Sequence, residues 1–122
     1  MHFVTLQVRC EVWFTDGGFS QGGKIGYITP TGAIKEFPLP ASPADPISIT
    51  TGPDGNLWFT DGLPSQIAKI ERITTTGSIK VFLLPPSDSP GSITAGPDGN
   101  LWFTEQGVND QTGKIGKLTI VT

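Results

Sequence analysis

A chain of 122 residues with a net charge of −3 is one domain or part of a larger one, and it has no run of lysine or arginine. That balance argues against a nucleic-acid groove or an anionic-membrane surface as the main partner. The 16 glycines, 11 prolines and only 16% charged residues disfavour helical bundles and coiled coils, and no stretch approaches the ~20 apolar residues of a membrane span.

Met1 to Cys10 lacks a basic region followed by a small-residue cleavage site, so no signal peptide is read there. Cys10 is the single cysteine, which rules out an intrachain disulfide, and it reads as a small buried hydrophobe. His2, the single histidine, offers it no activating partner. From Trp13 onward the chain repeats itself. Trp13-Phe14-Thr15-Asp16 returns as Trp58-Phe59-Thr60-Asp61 and as Trp102-Phe103-Thr104-Glu105, at spacings of 45 and 44 residues. Residues 49–62 match 93–106 at 11 of 14 positions. Lys24-Ile25, Lys69-Ile70 and Lys114-Ile115 keep the same spacing, as do Thr31-Gly32 and Thr76-Gly77, and Phe37 and Phe82.

The punctuation reads as hairpins. Gly52-Pro53-Asp54-Gly55 and Gly96-Pro97-Asp98-Gly99 put proline where φ is fixed near −65° and glycine where the chain turns left-handed. Thr29-Pro30-Thr31-Gly32 repeats that order, and Thr74-Thr75-Thr76-Gly77 is a weaker copy. The middle repeat predicts strands at about 47–51, 57–60, 67–74 and 78–83, and the whole chain about eleven. Proline-rich segments 38–46 and 84–91 carry the chain between repeats. In the first repeat Gln7-Val8-Arg9-Cys10-Glu11 stands where a Gly-Pro-Asp-Gly-Asn turn belongs, and the last repeat stops after its third strand near Thr119.

A period near 45 with four strands suits an all-β fold of four-stranded antiparallel propeller blades. The chain then holds about 2.7 blades of an incomplete propeller, one partial domain over 1–122 with repeats at about 2–46, 47–90 and 91–122. Leu57 and Phe59 point to one face of their strand and Trp58 to the other, so this strand expects cover on both sides. Closed propellers hold roughly 4–8 blades. The expectation is therefore that further blades, or self-association, cover the ends of an open arc, whether the chain is a fragment, a truncated reading frame or an associating unit.

The phrase Gly-Pro-Asp-Gly-Asn-Leu-Trp-Phe-Thr-[Asp/Glu] at 52–61 and 96–105, with Lys24-Ile25-Gly26 and Glu36-Phe37-Pro38-Leu39-Pro40, resembles the repeat of the virginiamycin B lyase (streptogramin lyase) family. The resemblance implies a seven-bladed propeller of which this chain holds under half. It also implies opening of a streptogramin B ester, in a small cyclic peptide ligand, by Mg²⁺-dependent elimination. A histidine acts there as acid and base, with carboxylates near the metal. No histidine follows Asp16, Asp61 or Glu105 here, so that role is carried over to no residue. By the same resemblance the carboxylates of Asp16, Asp61 and Glu105 are the candidate Mg²⁺ ligands, with Glu105 reaching furthest; the other reading is that each caps a loop through backbone N–H groups. Lys24, Lys69 and Lys114 either meet the carboxylates or a substrate carbonyl, or guard strand edges. Trp13, Trp58 and Trp102 either wall a ligand or pack between blades. The loops 16–23, 61–66 and 105–113 vary most between repeats and are candidate binding loops. A non-catalytic binding module built of similar NHL-like blades is the competing function.

Overall fold

The computed structural model describes residues 2–6, 10–17, 23–39, 45–62, 69–84, 89–106 and 113–120. Its strands are β1 (Phe3–Leu6), β2 (Glu11–Asp16), β3 (Lys24–Ile28), β4 (Ile34–Pro38), β5 (Pro46–Thr51), β6 (Leu57–Asp61), β7 (Lys69–Ile73), β8 (Ile79–Leu83), β9 (Ser89–Ala95), β10 (Asn100–Gln106) and β11 (Lys114–Thr119). They form three antiparallel meanders in chain order: β1 to β4, β5 to β8, and β9 to β11. No helix occurs among the described residues. The fold is therefore the expected set of blades, the third ending at its third strand. The first strands of the three blades, β1, β5 and β9, lie side by side.

The glycine-rich turns behave as their chemistry requires. Gly55 and Gly99 adopt φ of 83° and 82°, a region that L side chains avoid. The Asp54 carboxylate accepts the Asn56 N–H (3.2 Å), the Asn56 side-chain amide (3.0 Å) and the Trp58 indole N–H (3.0 Å). Asp98 repeats all three contacts on Asn100 and Trp102. Burial raises the Asp54 carboxyl, but these donors outweigh it and hold the group below its ordinary value. The repeated phrase thus ties each turn to the tryptophan of the strand that follows.

The first blade departs from this pattern. Thr5 pairs with Val12 around the six residues from Leu6 to Glu11, one more than in the other blades, where Thr51 pairs with Leu57 around the five from Gly52 to Asn56. Cys10, in the place of Gly55 and Gly99, has φ of 57°. It is exposed, against the expectation of a buried hydrophobe, because it stands on this turn. Sequence puts Arg9 where Asp54 and Asp98 stand, and the Trp13 indole nitrogen is buried without a hydrogen bond among the described residues. A left-handed non-glycine residue costs about 1–2 kcal/mol, and glycine's extra unfolded-state entropy returns part of that. Cys10→Gly is expected to raise stability by about 0.5–1 kcal/mol, read as a higher urea midpoint at unchanged slope.

Packing between blades makes the core. Trp13 and Ile25 of the first blade meet Ile49, Leu57, Phe59 and Ile73 of the second. Trp58 and Ile70 on the opposite face of the second blade meet Ile93, Leu101 and Phe103 of the third. Leu57, Trp58 and Phe59 are all buried, so β6 is covered on both faces as the alternation requires. Trp13 and Trp58 pack between blades rather than walling a ligand, whereas Trp102 is half-exposed on the outer face of the third blade. Ile25, Ile70 and Ile115 hold one repeat position, yet their exposures are 0%, 0% and 75%. The third differs because no blade lies beyond it among the described residues.

Candidate functional site at the ends of the second strands

Asp16, Asp61 and Glu105 lie at or next to the ends of β2, β6 and β10. Each stands directly opposite the repeated lysine of the next strand: Asp16 faces Lys24, Asp61 faces Lys69 and Glu105 faces Lys114. Lys24 and Lys69 open interior strands, so the edge-guarding role does not fit them. Their position opposite the carboxylates matches the other reading. Asp16 and Glu105 are half-buried, whereas Asp61 is buried. Among the described residues no group of three or more His, Cys, Asp or Glu side chains is arranged to hold a metal ion.

Asp61 shows why. Its Oδ1 accepts the Asp45 N–H at 2.8 Å, and its Oδ2 lies 3.8 Å from the Lys69 ammonium. The Gly62 N–H donates to the Asp45 carbonyl at 3.4 Å. Asp61 therefore fastens the connector entering β5 to the end of β6. This is backbone capping, directed at the preceding connector and not at the following loop. The Asp45 side chain lies over Gly17, where an added Cβ would sit 2.5 Å from its Oδ1. Burial raises the Asp45 carboxyl, and the Asp61 charge adds to the rise.

Beside this contact sits a group that the repeat does not forecast. Glu71 occupies the place of Gly26 and Gly116, on the same face of its sheet as Phe59 and Asp61. In the flanking blades an added Cβ at that glycine would lie 2.5 Å and 2.3 Å from the rings of Phe14 and Phe103. In the middle blade Glu71 is 1% exposed, and neither carboxyl oxygen has a hydrogen bond among the described residues. Burial pushes its carboxyl up to about 9; Asp61 adds to the shift and the Lys69 charge opposes it. Glu71 is thus held in its neutral form at pH 7, beside the Asp61 carboxyl.

The histidine has a place too. The His2 N–H donates to Thr15 Oγ1 (3.0 Å), as Ser48 N–H does to Thr60 Oγ1 (3.2 Å) and Ser92 N–H to Thr104 Oγ1 (3.0 Å). His2 therefore stands where Ser48 and Ser92 stand. The Ile49 N–H donates to His2 Nδ1 at 2.7 Å, and the Ile93 N–H donates to Ser48 Oγ at 3.1 Å. Each side chain latches its blade to the first strand of the next. With Nδ1 accepting, the neutral ring carries its proton on Nε2. In sequence His2 falls in no matching phrase of the repeat, since the longer first turn shifts its spacing to Ser48 to 46 residues. The candidate binding loops fall mainly on 18–22, 63–68 and 107–112, outside the described residues.

Antiparallel meanders of four, four and three strands stacked face to face, with their first strands side by side and equivalent carboxylates at one end of each, define an arc of a β-propeller. The chain belongs to the virginiamycin B lyase family, whose sequence model matches residues 1–122. Among solved structures it is similar to selenomethionine-substituted virginiamycin B lyase from Staphylococcus aureus, with 34% identity, a TM-score of 0.69, and coverage of 93% of this chain and 39% of that one. A streptogramin B lyase structure gives 39% identity and a TM-score of 0.67, covering 97% of this chain and 39% of that one. A catalytically inactive histidine-to-alanine variant of the Staphylococcus aureus enzyme with quinupristin gives 35% identity and 0.64, covering 91% and 38%. The chain thus spans about two fifths of the length of these structures. No curated protein sequence matches it.

Proposed function

We propose that this chain is an arc of a streptogramin lyase-type propeller that supplies blade scaffold and part of a ligand-facing end, while the acid–base chemistry resides outside the arc. The observation that carries this reading is the family match over 1–122 together with three structural relatives at 34–39% identity. In the complete propeller the substrate would be a streptogramin B cyclic depsipeptide, opened by elimination in the service of antibiotic resistance. Magnesium, when bound to such an enzyme, stabilises the charge that develops as the carbon-bound proton leaves. The described carboxylates of this arc do not fit that ion. Asp61 is engaged by a backbone N–H and an ammonium, and Glu71 is held neutral. Asp16 and Glu105 each stand opposite a lysine and join no metal-holding cluster among the described residues.

His2 does not supply the missing base in this reading. A general base needs a lone pair facing the substrate, and Nδ1 already accepts the Ile49 N–H. Positioned acid–base groups contribute roughly 10²–10⁴ in rate, so the chain alone is expected to open no streptogramin B above the no-protein control. Incubation with the antibiotic and Mg²⁺, followed by mass and absorbance, checks this. Linear product well above the control, lost in His2→Ala or Glu105→Gln, would overturn the assignment.

A further inference from the structure

We propose that Glu71 donates its carboxyl proton to Asp61 Oδ2, and that this shared proton clamps the connector entering β5 at the junction of the first and second blades. Three buried oxygens at that junction have no hydrogen bond among the described residues: both of Glu71, and Oδ2 of Asp61, which the Lys69 ammonium approaches only to 3.8 Å. Buried acceptors left without a donor are costly, and two ionised carboxylates have no donor to offer each other. One proton between them satisfies both sides, as an O–H directed at a carboxylate, the stronger kind of hydrogen bond. The register brings the pair together. Phe59 pairs with Glu71 and Asp61 with Lys69, so Glu71 and Asp61 are diagonal neighbours on the face that packs against Trp13 and Ile25 of the first blade. Burial first, and then Asp61 itself, hold the proton on Glu71.

Few other charges face this junction among the described residues. On its own sheet they are Asp61 and Lys69, and the connector adds Asp45. From the first blade, Lys35 lies over the Phe37 ring and His2 accepts the Ile49 N–H. Asp16 and Lys24 lie on the opposite face of the first sheet, with Phe14. Asp61 Oδ1 holds the Asp45 N–H, and the Asp45 side chain lies over Gly17, just past the end of β2. Glu71 is therefore a positioning residue: it fixes Asp61, Asp61 fixes the connector, and the connector reaches from the second blade to the first. At the next junction Gly116 stands in the place of Glu71, with the Phe103 ring filling the space, so the clamp is particular to the first junction. When the proton leaves in alkaline solution, two buried like charges face each other and Asp61 loses the contact that steadies it. The inference rests on this junction alone and is independent of the lyase reading.

The test is carbon NMR of the side-chain carboxyls through a pH titration, with amide exchange of Asp45 followed in parallel, for the native chain, Asp61→Asn and Glu71→Gln. In the native chain the Glu71 carboxyl is expected to stay protonated through neutral pH, and the Asp61 carbon to move with it when it ionises, as one coupled step. Asp61→Asn keeps a carbonyl for the Asp45 N–H but turns an N–H toward Glu71, so the Glu71 carboxyl is expected to ionise lower by about 1 pH unit or more. Once Glu71 ionises, the Asp45 amide of the native chain is expected to lose protection by about tenfold or more. In Glu71→Gln, whose amide N–H replaces the proton, that protection is expected to hold. A Glu71 carboxyl already ionised at neutral pH would overturn the proposal. So would one that ionises alike in the native chain and Asp61→Asn, since burial alone would then hold the proton. Asp45 protection that ignores the state of Glu71 would overturn the clamp, and this arm needs only the native chain and Glu71→Gln.

Discussion

Trp58→Ala is expected to cost about 3–5 kcal/mol of folding stability, and Trp102→Ala about 1 kcal/mol. The two residues share a repeat position, a turn aspartate and a stacked cation. They differ in cover. Trp58 is buried against Ile93, Leu101 and Phe103 of the next blade, whereas Trp102 is half-exposed on the last sheet. Truncating a buried indole removes its transfer free energy and leaves a cavity that neighbouring sheets fill only in part. Native domains are stable by only about 5–15 kcal/mol, so Trp58→Ala takes a large share of the total. Urea unfolding of both variants measures the difference, and equal losses would mean that the second and third blades do not pack through Trp58.

Glu71→Gln is expected to stabilise the chain in alkaline solution and to leave it nearly unchanged in acid. The Glu71 carboxyl sits at about 9 in the folded chain against an ordinary value of 4.5. Between those values the folded chain holds a proton that the unfolded chain releases. Stability is therefore full below pH 4.5, falls as pH rises, and has lost this contribution by pH 9. Glutamine keeps the shape, carries no titrating proton and offers an N–H to the unsatisfied Asp61 Oδ2. The expected gain at pH 8 is on the order of 2 kcal/mol, seen as a thermal midpoint that varies less with pH than that of the native chain. Parallel pH profiles for the two proteins would show that Glu71 is ionised in the fold.

These two residues also mark how far sequence carried the account. The tryptophan rows were legible because three signals agree there: the 45-residue spacing, the apolar residues on both faces of β6, and a turn whose glycine adopts the left-handed region. Strand positions followed from the same agreement, and β5 to β8 fall within two residues of the expected bounds. Glu71 was hidden for the opposite reason. It replaces a glycine of the flanking blades in an otherwise regular Lys-Ile-x phrase, and only the packing of Phe59 and Asp61 beside it shows what the replacement does. The capping of Asp45 by Asp61 joins a connector to a strand end 16 residues later, a pairing that no local pattern announces. His2 escaped because histidine and serine have little in common as letters, while both present an atom that accepts the same N–H.

The blade junctions are the centre of this account, and two amides report on them directly. Ile49 N–H and Ile93 N–H donate to side chains of the preceding blade, so their protection from solvent depends on blade stacking. Native-state hydrogen exchange, resolved residue by residue, is the measurement. Both amides are expected to exchange far more slowly than free peptide groups, and His2→Ala is expected to speed Ile49 while sparing Ile93. Exchange of both at unprotected rates, with the β6 amides still slow, would show sheets that form without stacking and would contradict the account.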